Sequence, residues 1–392
     1  MKFAQIGAGN IGRSFIGALF SRAGWEVVFI DVDPRIVSLL NDKKYYTVLI
    51  KREGRADESR RIGPVRAVNG TDAESAAREI AGADLAATSV GKAALPKALP
   101  MIARGLEERR RVTPDRPLDF IIAENARGAG DLFRSILGER LGPDYPLDRL
   151  IGLVETSIGK MVPIMRREDL DRDPLLLFAE EYETLIADRL GFRGPPPEIP
   201  GLYLTDTISA YVDRKLFIHN LGHAAAAYLA YRADPGKKLL AEGLPLVEPG
   251  VKKAMNEAAR ALALEYPAVF GGEDLALHIA DLLTRFKNRA LGDTIHRVGR
   301  DLPRKLGRED RLVGAMLLCA GKGVPFEGIA DAYGAALDFA APGEGGQIFP
   351  EDRRFREEIL PRGIPALLRE VSGLDPASET DRKVMEVLSA PR

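Results

Sequence analysis

One cysteine in 392 residues, Cys319, excludes an internal disulfide framework and fits a reducing compartment. Histidine is almost as scarce, at His219, His223, His278 and His296, so any metal site must draw on a very small stock of imidazoles. There is no excess of charge of either sign. The formal net charge is −1, and no electrostatic field favours nucleic acid or an anionic membrane. Nor is there a run of about 18 apolar residues that could cross a bilayer. A strand starting almost at residue 2 leaves no room for a signal peptide, so a soluble, cytoplasmic protein is expected. No internal repeat or low-complexity tract interrupts the chain.

What is present fits a large globular protein. The chain is 45% hydrophobic and 29% charged, and its length argues for two domains. Arginine outnumbers lysine, 40 to 16 of the 56 basic residues, which is a compositional habit spread along the chain. The clearest joint is the Pro/Gly-rich Gly191-Phe-Arg-Gly-Pro-Pro-Pro-Glu-Ile-Pro-Gly201, giving expected domains over residues 1–200 and 201–392.

The first domain opens on a short apolar strand, Lys2 to Ile6, which runs into Gly7-Ala-Gly9-Asn10-Ile11-Gly12. A helix with Phe15, Ile16, Leu19 and Phe20 follows, and then a second strand, Glu26 to Ile30, that ends at Asp31. Glycines in this setting form a tight turn and bring backbone N–H groups to a pyrophosphate at the positive end of a helix. An acid about 20 residues further on is placed to accept the adenosine ribose hydroxyls. Strand, glycines, helix, strand and acid in this order predict a Rossmann-type dinucleotide site. The Asp31 carboxylate would repel a 2′-phosphate, which favours NAD over NADP, although Arg35 lies close enough to oppose it.

Further strands are expected at Thr47–Ile50, Asp84–Thr88 and Asp119–Ala123, with a charged hairpin or loop over Lys51–Pro64. Ser89, Val90 and Gly91 follow one of these strands at the sheet edge where cofactors lie, and are assigned to nicotinamide-side contacts. Asn125 follows another, where it can cap the next helix or aim an amide donor at a substrate oxygen.

Beyond the joint the texture turns helical, with apolar-periodic segments at Thr207–Arg232, Gly250–Glu265, Asp274–Phe286, Asp310–Ala320 and Phe326–Phe339. The fold class is therefore α/β, a Rossmann-type N-terminal domain plus a mostly α-helical C-terminal domain. On the first of these helices, Lys215, Asn220 and His223 fall within one broad side, spread over about 12 Å of axis. They are the parts of a proton-handling site, or else the polar side of a half-buried helix. His219 and His223 have a spacing that suits one metal, but Asn220 stands where a zincin carries Glu and no third ligand is evident, so no metal is expected. Arg297, Arg300, Arg304 and Lys305 form either a solvated basic loop or guanidinium forks for a phosphate or polyhydroxylated anion.

In the combination of Gly7-Ala-Gly-Asn-Ile-Gly-Arg13, Lys215-x4-Asn220-x2-His223 and Arg285-Phe-x-Asn288 leading to Arg297-Val-Gly-Arg300, the chain resembles the polyol-specific long-chain dehydrogenases over nearly its whole length. The resemblance implies a metal-independent, NAD-linked enzyme that interconverts a sugar alcohol and its ketose. The branch it is most similar to pairs mannitol 1-phosphate with fructose 6-phosphate. By the same resemblance the catalytic lysine is Lys215, the oxygen-stabilising asparagines are Asn125 and Asn220, and the active-site histidine is His223. From the chemistry of their guanidinium groups, Arg297 and Arg300 are nominated as phosphate contacts. A lysine serves as base only if burial or nearby positive charge brings its pKa from about 10.4 toward 7–8. One departure bears on the substrate. Where this family usually has Val-Asp-Arg-Ile-x-Pro, the chain has Ile158-Gly159-Lys160-Met-Val-Pro163, which keeps open a non-phosphorylated polyol or uronate reductase of the same family. A β-hydroxyacid dehydrogenase fits less well, because its Lys–Asn spacing is shorter, and a dinucleotide-sensing regulator without turnover would leave the three helix residues unexplained. The partner expected is a small polyol or ketose, bound by a monomer or homodimer, with neither nucleic acid nor membrane.

Overall fold

The computed structural model describes residues 1–91, 93–124, 128–163, 165 and 167–390. The chain divides into two compact units, Met1–Ile208 and Ser209–Arg392.

The strands of the first unit, in chain order, are β1 (Lys2–Ile6), β2 (Glu26–Asp31), β3 (Tyr46–Ile50), β4 (Glu58–Ile62), β5 (Val65–Asn69), β6 (Leu85–Thr88), β7 (Leu118–Ile122), β8 (Ile151–Ile158), β9 (Leu176–Ala179), β10 (Leu185–Asp188) and β11 (Leu202–Thr205). Among the described residues an eight-stranded sheet runs β11-β10-β8-β7-β6-β1-β2-β5. All neighbours from β5 to β8 are parallel, and their order is the 3-2-1-4-5-6 of a doubly wound fold. The switch of direction falls between β1 and β6, the place where such sheets bind ligands beyond their carboxyl ends. Strands β1, β6 and β7 are buried along nearly their whole length because helices cover both faces of a parallel sheet. On one face Phe3 stacks on Phe20 at 3.8 Å, with Trp25 edge-on to both. On the other, Leu99, Ile102 and Phe133 pack against Ile6 and Phe120.

A smaller sheet, β4-β3-β9, stands beside this one. The charged stretch after Ile50 turns back as β4, antiparallel to β3, so it is a hairpin. The Pro/Gly-rich segment from 191 to 201 links β10 to β11, which pair in parallel, so the first unit continues past that segment to Ile208.

The second unit is helical. Its elements include α1 (Ile208–Arg214), a π-helical turn (Lys215–Asn220), α2 (Leu221–Ala233), α3 (Leu240–Glu265), α4 (Gly272–Phe286), α5 (Ile295–Gly299), α6 (Val313–Gly321) and α7 (Glu327–Asp338). The single helix expected from Thr207 to Arg232 is thus a continuous helical path whose α bonding is broken at Lys215–Asn220. Ala224 to Ala227 are buried, and small residues let α2 and α3 approach closely. A methyl group on Gly243 would stand 2.5 Å from Ala230 Cβ, and one on Gly222 2.6 Å from Met255 Sδ. Tyr228, fully buried on α2, donates its hydroxyl to Gly299 O at 2.9 Å, and so ties the end of α5 to the same helix. Among the described residues no helix is long and apolar enough to cross a membrane.

Candidate active site

The dinucleotide end of the first unit is built from the residues just past β1, β2, β6 and β7. Gly7 turns the chain at φ 95°, a left-handed conformation that disfavours a side chain. At Gly12 a Cβ would lie 2.1 Å from Gly7 O and 2.7 Å from Ser89 Oγ, so only hydrogen fits, whereas nothing stands within 4 Å of a Cβ at Gly9. The loop is thus closed on the protein side and open on the ligand side, as backbone approach to a pyrophosphate requires. Asn10 is exposed and Ile11 half-buried at its crest. A π turn over Gly12–Gly17 follows at once.

Asp31 ends β2. Its Oδ2 accepts from Ala8 N at 2.5 Å and its Oδ1 from Asp33 N at 2.9 Å, which tie the strand end to the glycine turn. A carboxylate has about four lone-pair positions, so two remain for ribose hydroxyls. On one side of Asp31 is an apolar slot of about 350 Å³ that includes Ile30, Val32, Val90, Ala98 and Met101 and has the flat, greasy character an adenine needs. On the other is a cavity of about 440 Å³ with Arg13, Arg35 and Arg167 among its walls. The residues present therefore fit a dinucleotide.

Ser89 and Val90, expected beside the nicotinamide, line the same slot as Asp31 and Val32. The N–H groups of Val90 and Gly91 point instead at Glu124, whose carboxylate accepts both at 2.9 and 2.8 Å. Glu124 was not singled out by the sequence reading, although it adjoins Asn125. Asn125 itself lies outside the described residues. The Gly159–Lys160 departure has a packing consequence. The Lys160 ammonium is buried and donates to Glu180 O at 2.9 Å and Tyr182 O at 2.6 Å, while a Cβ at Gly159 would only touch the Tyr182 ring, at 3.4 Å. Lys160 is a structural clamp within the first unit.

In the second unit the π turn decides the geometry. On regular α-helical spacing Lys215 and Asn220, five residues apart, would diverge by about 140°. A π turn closes i→i+5 instead of i→i+4, which brings residues five apart toward the same side. Lys215 opens this turn and Asn220 ends it, and His223 follows one α turn later on α2.

Burial, and next the Arg311 guanidinium, bring the Lys215 amine down to about 8. Arg311 is itself fixed by Asp310 Oδ1 at 2.6 Å and points Nη1 at the Asn220 carbonyl from 3.5 Å. Among the described residues the Asn220 side chain has no hydrogen-bond partner. His219, between them, is buried, and burial together with Arg285 and the neighbouring cations keeps its ring neutral.

The His223 ring stacks on Phe286 at 4.8 Å, and its Nε2 stands 3.2 Å from Asp293 Oδ2. Arg297 bonds the other oxygen of Asp293. Burial alone would raise the Asp293 carboxyl, but the nearby His223 ring and the Arg297 guanidinium outweigh it and hold the group low. Arg297 thus joins the histidine through an aspartate that the sequence reading missed. Arg300 is exposed, its guanidinium 5.2 Å from the centre of the Phe349 ring. Arg304 pairs with Asp301 and Asp310, and Lys305 is buried with its ammonium on Val298 O, so both of these are taken up internally. Among the described residues no group of three or more His, Cys, Asp or Glu is placed to hold a metal ion.

Residues 1–201 match the family model of the mannitol dehydrogenase Rossmann domain, and residues 207–387 match that of the mannitol dehydrogenase C-terminal domain. The chain belongs to the mannitol dehydrogenase family. Among its relatives, the mannitol-1-phosphate 5-dehydrogenase of Bacillus licheniformis is 34% identical over 391 residues, covering 98% of this chain and 99% of that protein. The enzyme of the same name from Bacillus subtilis is 36% identical, covering 94% and 95%. In fold, the chain is similar to Pseudomonas fluorescens mannitol 2-dehydrogenase, solved as a ternary complex with NAD and D-mannitol. The TM-score is 0.74 at 15% identity, over 98% of this chain and 90% of that one. Membership in the mannitol dehydrogenase family accounts for the pairing of a doubly wound unit with a helical one.

Proposed function

We propose that this chain is an NAD-dependent polyol dehydrogenase that interconverts mannitol 1-phosphate and fructose 6-phosphate. The observation that carries the reading is the lysine amine at about 8 at the start of a π turn that turns it and Asn220 to one side. Full-length likeness to the Bacillus mannitol-1-phosphate 5-dehydrogenases supports the substrate pair. The lone, buried Cys319 suits a cytoplasmic location.

Bound NAD accepts the hydride in one direction and NADH returns it in the other. The chain's own residues handle the proton and the oxygen. In oxidation Lys215, as the free amine, takes the hydroxyl proton while the C–H bond breaks. In reduction the ammonium gives it back. Asn220 and Asn125 donate amide N–H to the substrate oxygen as it gains charge. His223 accepts from a neighbouring substrate hydroxyl. Asp31 disfavours a 2′-phosphate on the cofactor, and Arg297 and Arg300 supply guanidinium donors for the substrate phosphate.

The test is an NADH-oxidation screen over fructose 6-phosphate, other hexose phosphates, free ketoses and keto-uronates, repeated with NADPH and with Arg300→Ala. Fructose 6-phosphate with NADH should be the best pair. Arg300→Ala should raise KM for fructose 6-phosphate by about 10–100-fold, the size of one lost charge-assisted hydrogen bond, and leave fructose nearly unaffected. Equal loss on both substrates would remove the phosphate role, and a preference for free ketoses would overturn the substrate assignment.

A further inference from the structure

We propose that Glu124 sets the preference of the cofactor site between oxidation states: its fixed carboxylate, at the carboxyl end of β7, favours the cationic ring of NAD⁺ over the neutral ring of NADH. The inference rests on the dinucleotide reading of the first unit, and not on the roles given to Lys215 or to the substrate.

Four observations within the first unit carry it. The first is place. In a doubly wound sheet a dinucleotide lies across the switch of strand order, one mononucleotide to each half. With Asp31 and the glycine turn assigned to the adenosine, the nicotinamide falls to the half built from β6, β7 and β8, and Glu124 stands just past the end of β7. The second is fixity. Val90 N donates to Glu124 Oε1 at 2.9 Å and Gly91 N to Oε2 at 2.8 Å, so each oxygen is held. Gly91, at φ 87°, takes a left-handed turn that suits glycine, and two successive N–H groups meet one carboxylate there. Val90 marks the border between the halves, since its side chain lines the slot beside Asp31 while its N–H turns to Glu124. The third is burial. Glu124 is only 6% exposed, so salt and water screen its charge weakly.

The fourth is the lack of a counter-charge in a chain with 40 arginines. Carboxylates nearer the surface of the same unit, such as Glu79 and Glu183, are paired with arginine or lysine. Among the described residues no lysine, arginine or histidine pairs with Glu124. The same holds for Glu155 on β8, which sits in register with Ile122 at this edge and accepts from Gly130 N at 3.1 Å. The buried Lys160 ammonium past β8 is turned to the carbonyls of Glu180 and Tyr182. NAD⁺ and NADH differ by one positive charge on the nicotinamide ring, and a weakly screened carboxylate on that half attracts the cationic form.

The test is the binding of NAD⁺, NADH and ADP-ribose to full-length protein, without substrate, measured by calorimetry. Glu124→Gln keeps the shape and removes the charge. It should weaken NAD⁺ by about 10-fold or more, the size of one partly buried charge pair, and leave NADH and ADP-ribose within about three-fold. Glu124→Asp keeps the charge, and should keep the wild-type ratio of NAD⁺ to NADH affinity even if both bind less tightly. Equal losses of NAD⁺ and NADH in Glu124→Gln would make the residue a clasp on the loop after β6 and overturn the proposal, as would an unchanged NAD⁺ affinity. If Glu124→Gln does not fold, the wild type decides. NADH bound more than about 10-fold tighter than NAD⁺ would overturn the proposal, and NAD⁺ bound as tightly as NADH would support it. Wild-type protein that binds none of the three ligands would sink the dinucleotide reading instead, which separates the two failures.

Discussion

Replacing Lys215 by alanine is expected to lower turnover by about 10²–10⁴-fold, the range for loss of a positioned acid or base. NADH affinity should stay within a few-fold of normal. The two effects separate because they rest on different units. The glycine turn, Asp31 and the apolar slot all belong to the first unit, and Lys215 contributes to none of them. Its own contribution is chemical. Burial and the Arg311 guanidinium bring the amine to about 8, where both protonation states are populated near neutral pH and transfer in either direction is possible. Fluorescence titration with NADH, alongside steady-state kinetics in both directions, measures the two quantities. Near-normal turnover would remove Lys215 from the mechanism, and lost NADH binding would make it a structural residue.

Asn220→Ala is expected to cost about 2.7–4 kcal/mol of transition-state stabilisation, or about 10²–10³-fold in kcat, if its amide behaves as an oxyanion donor. The side chain has no hydrogen-bond partner among the described residues, so the substitution removes none of the bonds that these residues make. The contact from Arg311 is to the Asn220 backbone carbonyl and survives it. Thermal stability should therefore change little while kcat falls. If only KM rises, the amide binds substrate and does not stabilise the developing charge.

Much of the first unit was legible because its signals are local. Gly7, Gly9 and Gly12 follow a strand and open a helix, and the reversal of strand order beside them is what that motif requires. The charged stretch after Ile50 was readable only as a hairpin or a loop, because its pairing with β3 is set by contacts that alternation alone does not encode. Glu124 escaped notice because its partners, the N–H groups of Val90 and Gly91, become neighbours only once β6 and β7 lie side by side.

The second unit was legible as helices and only partly as a site. Lys215, Asn220 and His223 announce themselves by type and spacing, yet a regular α-helix cannot turn residues five apart to one side. The π turn that does so has no sequence signature of its own. Asp293 sits in Gly292-Asp-Thr, which reads as a turn and helix cap. Its role emerges only when α2 and the start of α5 are brought together. The basic run from Arg297 to Lys305 separates in space. Arg297 is drawn to Asp293, Arg304 and Lys305 to internal partners, and Arg300 is left exposed beside Phe349.

The central claim, a lysine that exchanges one proton with the substrate, is tested most directly by the pH dependence of kcat/KM in both directions. Oxidation needs the free amine, so its rate should rise with pH and level off above about 8. Reduction needs the ammonium, so its rate should fall through the same value. Two mirrored titrations that share that midpoint, and that both vanish in Lys215→Ala, are the predicted result. Midpoints near the ordinary lysine value of about 10.4, or profiles that move in the same direction, would contradict it.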